Sequence, residues 1–387
     1  MARFTFLTWS GAGNQPPAIG TAQALRERDH QVVFAGYEVQ RALFDQRDFR
    51  FTLLETASRG WRDEAAENMV DILVECVWAS HQHLDDVEQV ISEGRPDVMV
   101  VDCLMFGALA ALENKDLPTV VLVHSAPGAL MPPGGGFESV LLDPVNRVRA
   151  AAGRPHLDRL WDAWERFPTF SNSIRRLDRL ASEVPASFGY VGPIGERAAT
   201  SDWHPPWHSS DPRPLVLVSF STWSHWDQTS RIRRTLDALA RRDCRVLVTG
   251  EGSNLDPVCV PDNAVVVNHV PHAEVLPYVS VTITHAGHGT VVTSLAHGVP
   301  LVCLPNRGAD QLSLARQVAS LGVGRALDGN AAEPNEIAEA VDQVLRESSF
   351  KVAAVRIAAE IAAAPGIKVV ARVLEQIASG ARSVSWT

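Results

Sequence analysis

The stretch Val281–Gln311, VTITHAGHGTVVTSLAHGVPLVCLPNRGADQ, decides how this chain is read. It opens on alternating β-branched residues, Val281 to Thr284, which predict a short buried strand. His285, Gly287, His288, Gly289 and Thr290 follow at the strand's end, and a helical run from Val291 to His297 is stopped by Gly298 and Pro300. A second strand, Leu301 to Leu304, comes at once. The pattern is a βαβ unit with a glycine-rich turn at a helix N-terminus, where free backbone N–H groups and the positive end of the helix dipole attract an anion. Two glycines let the backbone come close to a phosphate, Thr290 can donate a hydroxyl, and His285 can donate a ring N–H or carry charge. No Gly-Lys-Ser/Thr follows, so the turn is not a P-loop, and its glycine spacing is not the dinucleotide fingerprint. The plainer alternative is an ordinary βα turn with a satisfied histidine.

Over its whole length the stretch resembles the donor-binding segment of GT-B glycosyltransferases that tailor antibiotics and other natural products. The resemblance extends upstream through His269-Val270-Pro271-His272 and Val275-Leu276-Pro277, and ends in Asp310-Gln311. It implies that His285, Gly287, His288, Gly289 and Thr290 hold a nucleotide diphosphate and that Asp310 and Gln311 hold the sugar hydroxyls. It further implies that the backbone near Val270 holds the nucleobase, with Val270 in apolar contact, and that Ser221 and Thr222 approach the diphosphate.

Composition narrows the partners. At 387 residues the chain suits two domains, and its net charge of −10 argues against nucleic acid or an anionic membrane. Five scattered cysteines without a C-x-x-C fit a reducing cytoplasm, and no apolar run reaches the roughly 18 residues of a membrane span. The N-terminus reads as a strand and not as a signal segment. A homodimer is compatible with all of this.

In the first half, Arg3–Trp9 reads as strand one, Ser10–Pro17 as a turn, residues 18–28 as a helix and residues 31–35 as strand two. Gly11-x-Gly13, with Glu38 after strand two, suggests a nicotinamide-dependent oxidoreductase as an alternative, but Pro16 stands where the third glycine belongs. The same turn resembles the Gly-His-x-x-Pro segment of the glycosyltransferases, with Gly13 and Pro17 matching. The family's histidine, the general base, is Asn14 here, and an amide cannot take a proton at neutral pH. Asn14 can still orient an acceptor or cap the helix.

The strand Asp97–Asp102 closes on a carboxylate that the resemblance makes the partner of that missing base. Three readings stand: Asp102 acts as base itself, directly or through water; another residue such as His124 does so; or the acceptor ionises easily. The preferred one joins Asp102 to an easily ionised acceptor. Trp61, Trp78 and His124 are the expected acceptor contacts. Residues 61–93 and 155–180 read as helical, residues 128–137 as a loop, and His81 and His83 as solvent-facing.

The expected fold is α/β, two Rossmann-like domains with parallel sheets facing across a cleft. Residues 1–194 form the acceptor domain, 195–213 the linker, 214–364 the nucleotide-sugar domain, and 365–387 a helix crossing back to the first domain. With no Asp-x-Asp anywhere, neither metal nor other cofactor is expected beyond the NDP-sugar co-substrate. The resemblance implies inverting transfer, with a dTDP-linked donor and a small aglycone acceptor. A catalytically inert sugar-nucleotide-binding helper protein is the remaining alternative.

Overall fold

The computed structural model describes residues 1–387 apart from 12, 62–68, 198–202, 209, 222–227, 251–252, 254, 256–257, 307, 309 and 382–383. The chain divides into two compact units. The first comprises Met1–Arg175, Leu180–Arg197 and Ala364–Thr387, and the second Arg176–Arg179 and Ala198–Ala363.

The sheet of the first unit contains β1 (Arg3–Leu7), β2 (Gln31–Gly36), β3 (Arg50–Leu53), β4 (Val98–Asp102), β5 (Thr119–Val123), β6 (Thr169–Ser171) and β7 (Phe188–Tyr190). They lie in the order β3-β2-β1-β4-β5-β6-β7, every pair parallel. The second unit contains β8 (Leu215–Ser219), β9 (Arg245–Thr249), β10 (Ala264–Val267), β11 (Val279–Thr284), β12 (Leu301–Cys303) and β13 (Gly324–Ala326). Their order is β10-β9-β8-β11-β12-β13, again parallel throughout. Such sheets are covered on both faces by crossover helices, which is why β4, β5 and β8 are buried at every residue. Strand order reverses between β1 and β4 and again between β8 and β11, and ligands of open α/β sheets bind beyond the strand ends at such points.

The helix Gly366–Ala378 belongs to the first unit. Its Val370, Val373, Leu374 and Ile377 join Ile19, Leu25, Phe4 and Phe34 in one core. Glu375 accepts from Arg28 at 2.6 Å and pairs with His30 at 2.9 Å, and these contacts hold its carboxyl down at about 2. In the second unit Val216, Val218, Val246, Ile283, Val302, Leu236 and Val341 form the corresponding core.

Four local expectations are corrected. Within residues 155–180 the helix is short, Trp161–Glu165, and strand β6 follows, because Pro168 drives Phe167 away from helical geometry. A helix, Gly136–Ala151, begins at the end of the expected 128–137 loop. The described part of residues 61–93 is Met69–Leu73, a wide turn closed by Ala79 N–H on Val74 O at 2.8 Å, and a separate helix His83–Gly94. His83 is buried, 2.8 Å from the Tyr37 hydroxyl, while His81 is exposed as expected.

Candidate functional site

In the second unit the residues that the sequence singled out gather where β11 ends. His285 leaves the strand, Ala286 takes a left-handed φ of 64°, and Gly287 turns the chain into the helix His288–Ala296. A non-glycine residue in that region is strained and re-aims the backbone sharply. His285 folds onto Gly287, where a Cβ would meet its Nε2 at 2.4 Å, whereas a Cβ on Gly289 would meet nothing within 4 Å. Three buried polar atoms here have no hydrogen-bond partner among the described residues: Thr284 Oγ1, His285 Nδ1 and Asn306 Nδ2. Buried polar atoms are nearly always satisfied, so these three are available to a polar ligand or a buried water.

Burial, with Arg231 adding to it, pushes the His285 imidazole down to about 3. His285 therefore offers hydrogen bonds and not the charge that the sequence allowed it. Among the described residues, the cation acting on it is Arg231, missed by the sequence reading. Arg231 is buried, with hydrogen bonds to neutral acceptors: Gly329 O, Gln228 Oε1 and Asn330 Oδ1. A signal existed: Arg231 shares the i, i+4, i+8 stripe of Thr235 and Leu239, the buried face of the helix Thr229–Leu239.

The remaining donor-side residues are placed as follows. Gln311 is buried, its Oε1 accepting from Asn306 N at 3.0 Å, and Asp310 is half-buried at the start of the helix Gln311–Ser320. Thr290 and Ser221 are half-buried, and His288 is buried. The Val270 side chain is packed among Leu215, Leu217, Leu247 and Val275, which corrects the expected apolar contact with a base. Thr222, with Trp223, Ser224, His225 and Trp226, lies outside the described residues.

In the first unit the chemistry sits at the ends of β1, β4 and β5. Asp102 Oδ1 accepts from Trp9 Nε1 and from Leu104 N, each at 3.0 Å, and Oδ2 accepts from His124 Nδ1 at 2.8 Å. The carboxylate side chain is 1% exposed and the His124 side chain 12%. Asp102 is thus enclosed by its own partners, which removes it as the group that meets an acceptor directly. Burial, the largest single influence, opposes charge on His124, but Asp102 and Cys103 together outweigh it and raise the imidazole well above its ordinary value. Cys103 Sγ lies 3.6 Å from His124 Nδ1, and burial raises that thiol. Two nitrogen or oxygen ligands of a tetrahedral ion stand about 3.3 Å apart, so the 2.8 Å spacing is that of a hydrogen bond.

Asn14 is buried at the start of the helix Gln15–Arg26 without capping it through its side chain. Its Nδ2 donates to Trp9 O at 3.1 Å, and among the described residues its Oδ1 is buried without a partner, as are Ser10 Oγ, Trp61 Nε1 and Trp78 Nε1. The Trp9 indole folds across Gly11, where a Cβ would stand 2.5 Å from the ring. Trp78 meets the Trp9 ring edge-on at 6.0 Å and Phe137 at 4.9 Å, so aromatic rings lead away from Asp102. Trp61 packs on Tyr37 at 5.9 Å.

Known proteins resemble this chain in sequence and in fold. Residues 233–377 match the erythromycin biosynthesis protein CIII-like C-terminal domain family. The demethyllactenocin mycarosyltransferase of Streptomyces fradiae is 27% identical over 98% of this chain and 87% of its own. The solved glycosyltransferase of kitacinnamycin superposes with a TM-score of 0.79 at 20% identity, covering 97% of this chain and 98% of that one. A spinosyn rhamnosyltransferase complexed with thymidine diphosphate gives 0.73 at 20% identity, covering 97% and 100%.

Proposed function

From a chain that is a glycosyltransferase of the GT-B fold, akin to enzymes that tailor antibiotics, we propose inverting transfer of a sugar from a dTDP-linked donor to a small natural-product acceptor. The observation that carries the donor half is the start of the helix His288–Ala296, with unsatisfied Thr284 Oγ1 and His285 Nδ1 beside the open face of Gly289. Backbone N–H groups at that start, the neutral His285 and the cation of Arg231 offset the diphosphate charge without a divalent ion. Thymidine diphosphate is favoured because the spinosyn rhamnosyltransferase of like fold holds it.

The acceptor half rests on the first unit. Trp78, Trp9 and Phe137 offer ring faces and edges to an apolar acceptor, and Asn14 Oδ1 and the indole N–H groups of Trp61 and Trp78 offer it hydrogen bonds. The acceptor oxygen or nitrogen attacks the anomeric carbon from the face opposite the diphosphate, which leaves with the bonding electron pair. Positioning of the two reactants supplies much of the rate.

A nicotinamide site at the first turn is disfavoured, because the Trp9 ring lies on Gly11 where a pyrophosphate would need bare backbone. Asn14 favours one other reading, a sugar-nucleotide-binding helper without turnover. Thermal-shift measurements with dTDP, UDP, GDP and NAD, followed by donor consumption with acceptors, separate the three. Protection by dTDP with consumption supports transfer, protection without consumption the helper, and protection by NAD alone the oxidoreductase.

A further inference from the structure

The acceptor half of the transferase reading lacks a group to take the acceptor's proton, since Asn14 is an amide. We propose that His124, the residue after β5, is that base and that Asp102 is its positioning residue, so that the proton-accepting dyad spans β4 and β5. The inference rests on the transferase reading.

Four observations support it. Asp102 pairs with Leu122 in the parallel register, so its carboxylate and the ring two residues beyond Leu122 meet across adjacent strand ends. Those ends adjoin β1, at the point where strand order reverses and ligands bind. Asp102 has both oxygens engaged, by Trp9, Leu104 and His124, and only the histidine of the pair retains exposed side-chain surface. Finally, Trp9 holds Asn14 Nδ2 through its carbonyl and Asp102 through its indole, so the amide at position 14 is committed to the Trp9 backbone and not to the carboxylate.

The step balances simply. The acceptor O–H or N–H bond breaks and its proton passes to His124 Nε2, since Nδ1–H is committed to Asp102. The freed electron pair forms the bond to the anomeric carbon as the carbon–oxygen bond to the diphosphate breaks. The imidazolium is then stabilised by the adjacent carboxylate. Among the described residues, the ionisable groups acting on His124 are Asp102 and Cys103, both at the end of β4. Burial opposes the charge, but Asp102 and Cys103 together raise the imidazole above its ordinary range, so an acceptor-free enzyme becomes competent only as pH rises through that raised value.

The test uses dTDP-glucose as donor, with phenol, a weak acid, and 4-nitrophenol, a much stronger one, as surrogate acceptors. His124→Gln is expected to lower kcat/KM with phenol by about 10²-fold or more, to lower it far less with 4-nitrophenol, and to leave calorimetric dTDP affinity unchanged. Asp102→Asn is expected to move the acidic limb of the pH profile to lower pH, because the carboxylate that raises His124 is gone. Equal losses on both phenols, or none on either, with dTDP still bound, overturn the role of His124 alone. Should the His124→Gln protein fail to fold, the Asp102→Asn profile decides: an unmoved limb overturns the pairing. A wild-type protein that neither binds dTDP nor transfers to either phenol overturns the transferase reading itself.

Discussion

His285 Nε2 sits so close to Gly287 that a methyl group on that glycine would lie 2.4 Å from it, while two residues on Gly289 faces open space. The two glycines of one turn therefore do different work. At Gly287 the missing side chain makes room for the protein's own imidazole; at Gly289 it leaves the helix start bare.

Alanine at each position separates the two roles. Gly287→Ala should displace the His285 ring and weaken dTDP binding by about tenfold or more, roughly one lost hydrogen bond to a charged group. Gly289→Ala meets no neighbour and lies within a helix, so the melting temperature should hold or rise, by up to about 1 kcal/mol of stability, while dTDP affinity falls. Calorimetric titration checks both. Unchanged affinity in Gly289→Ala would mean that no ligand approaches the helix start.

Arg231 provides a second test, since His285 is neutral and cannot answer the diphosphate charge. Arg231→Met should lower dTDP affinity and flatten its dependence on salt, because a screened cation has been removed. Affinity that stays as salt-sensitive as in the wild type would place the cation elsewhere.

Asn14→His restores the imidazole that the family resemblance leads one to expect, yet the Asp102 oxygens are already held by Trp9, Leu104 and His124. The substitution removes the bond to Trp9 O, so turnover should change by about fivefold, the value of one neutral hydrogen bond. Donor affinity should stay the same. Loss of dTDP binding in this variant would show that Asn14 serves the donor and not the acceptor.

Acid stability follows from three histidines, His83 and His285 buried and His272 half-buried. Burial pushes His83 and His285 down to about 3 and His272 to about 4. All three values lie below that of the unfolded chain, so in the window from about 6.5 down to about 4 for His272 and about 3 for the other two, unfolding takes up protons that the fold excludes. Their contribution is fully present above that window and is lost as pH falls through it, by up to about 4 kcal/mol per pH unit for three groups. Urea midpoints at pH 7 and pH 5 measure this, and His285→Asn should reduce the slope. A midpoint indifferent to pH over this range would contradict the buried, neutral assignment.

What the chain reveals on reading depends on how local the feature is. The turn His285–Thr290 is legible because strand, glycines and helix are contiguous, and the same holds for Asp102 at the end of an apolar run. The Asp102–His124 pair is not, since it arises only once β4 and β5 lie side by side in a given register. Val270 looks like a ligand contact in one dimension and becomes core in three, because Leu215, Leu217 and Leu247 come from other strands. His83 reads as polar surface until Tyr37, 46 residues earlier, supplies its partner. The stretch 155–180 has apolar spacing that fits a helix, and only Pro168 hints at the strand that ends it.

The central claim is that the glycine-lined start of the helix His288–Ala296 grips a pyrophosphate without a metal ion. Calorimetric titration of the wild-type protein with dTDP, with and without EDTA, tests it most directly. The expected result is saturable binding, indifferent to the chelator and weakened by Gly289→Ala. Binding that vanishes in EDTA, or that survives Gly289→Ala unchanged, would contradict it.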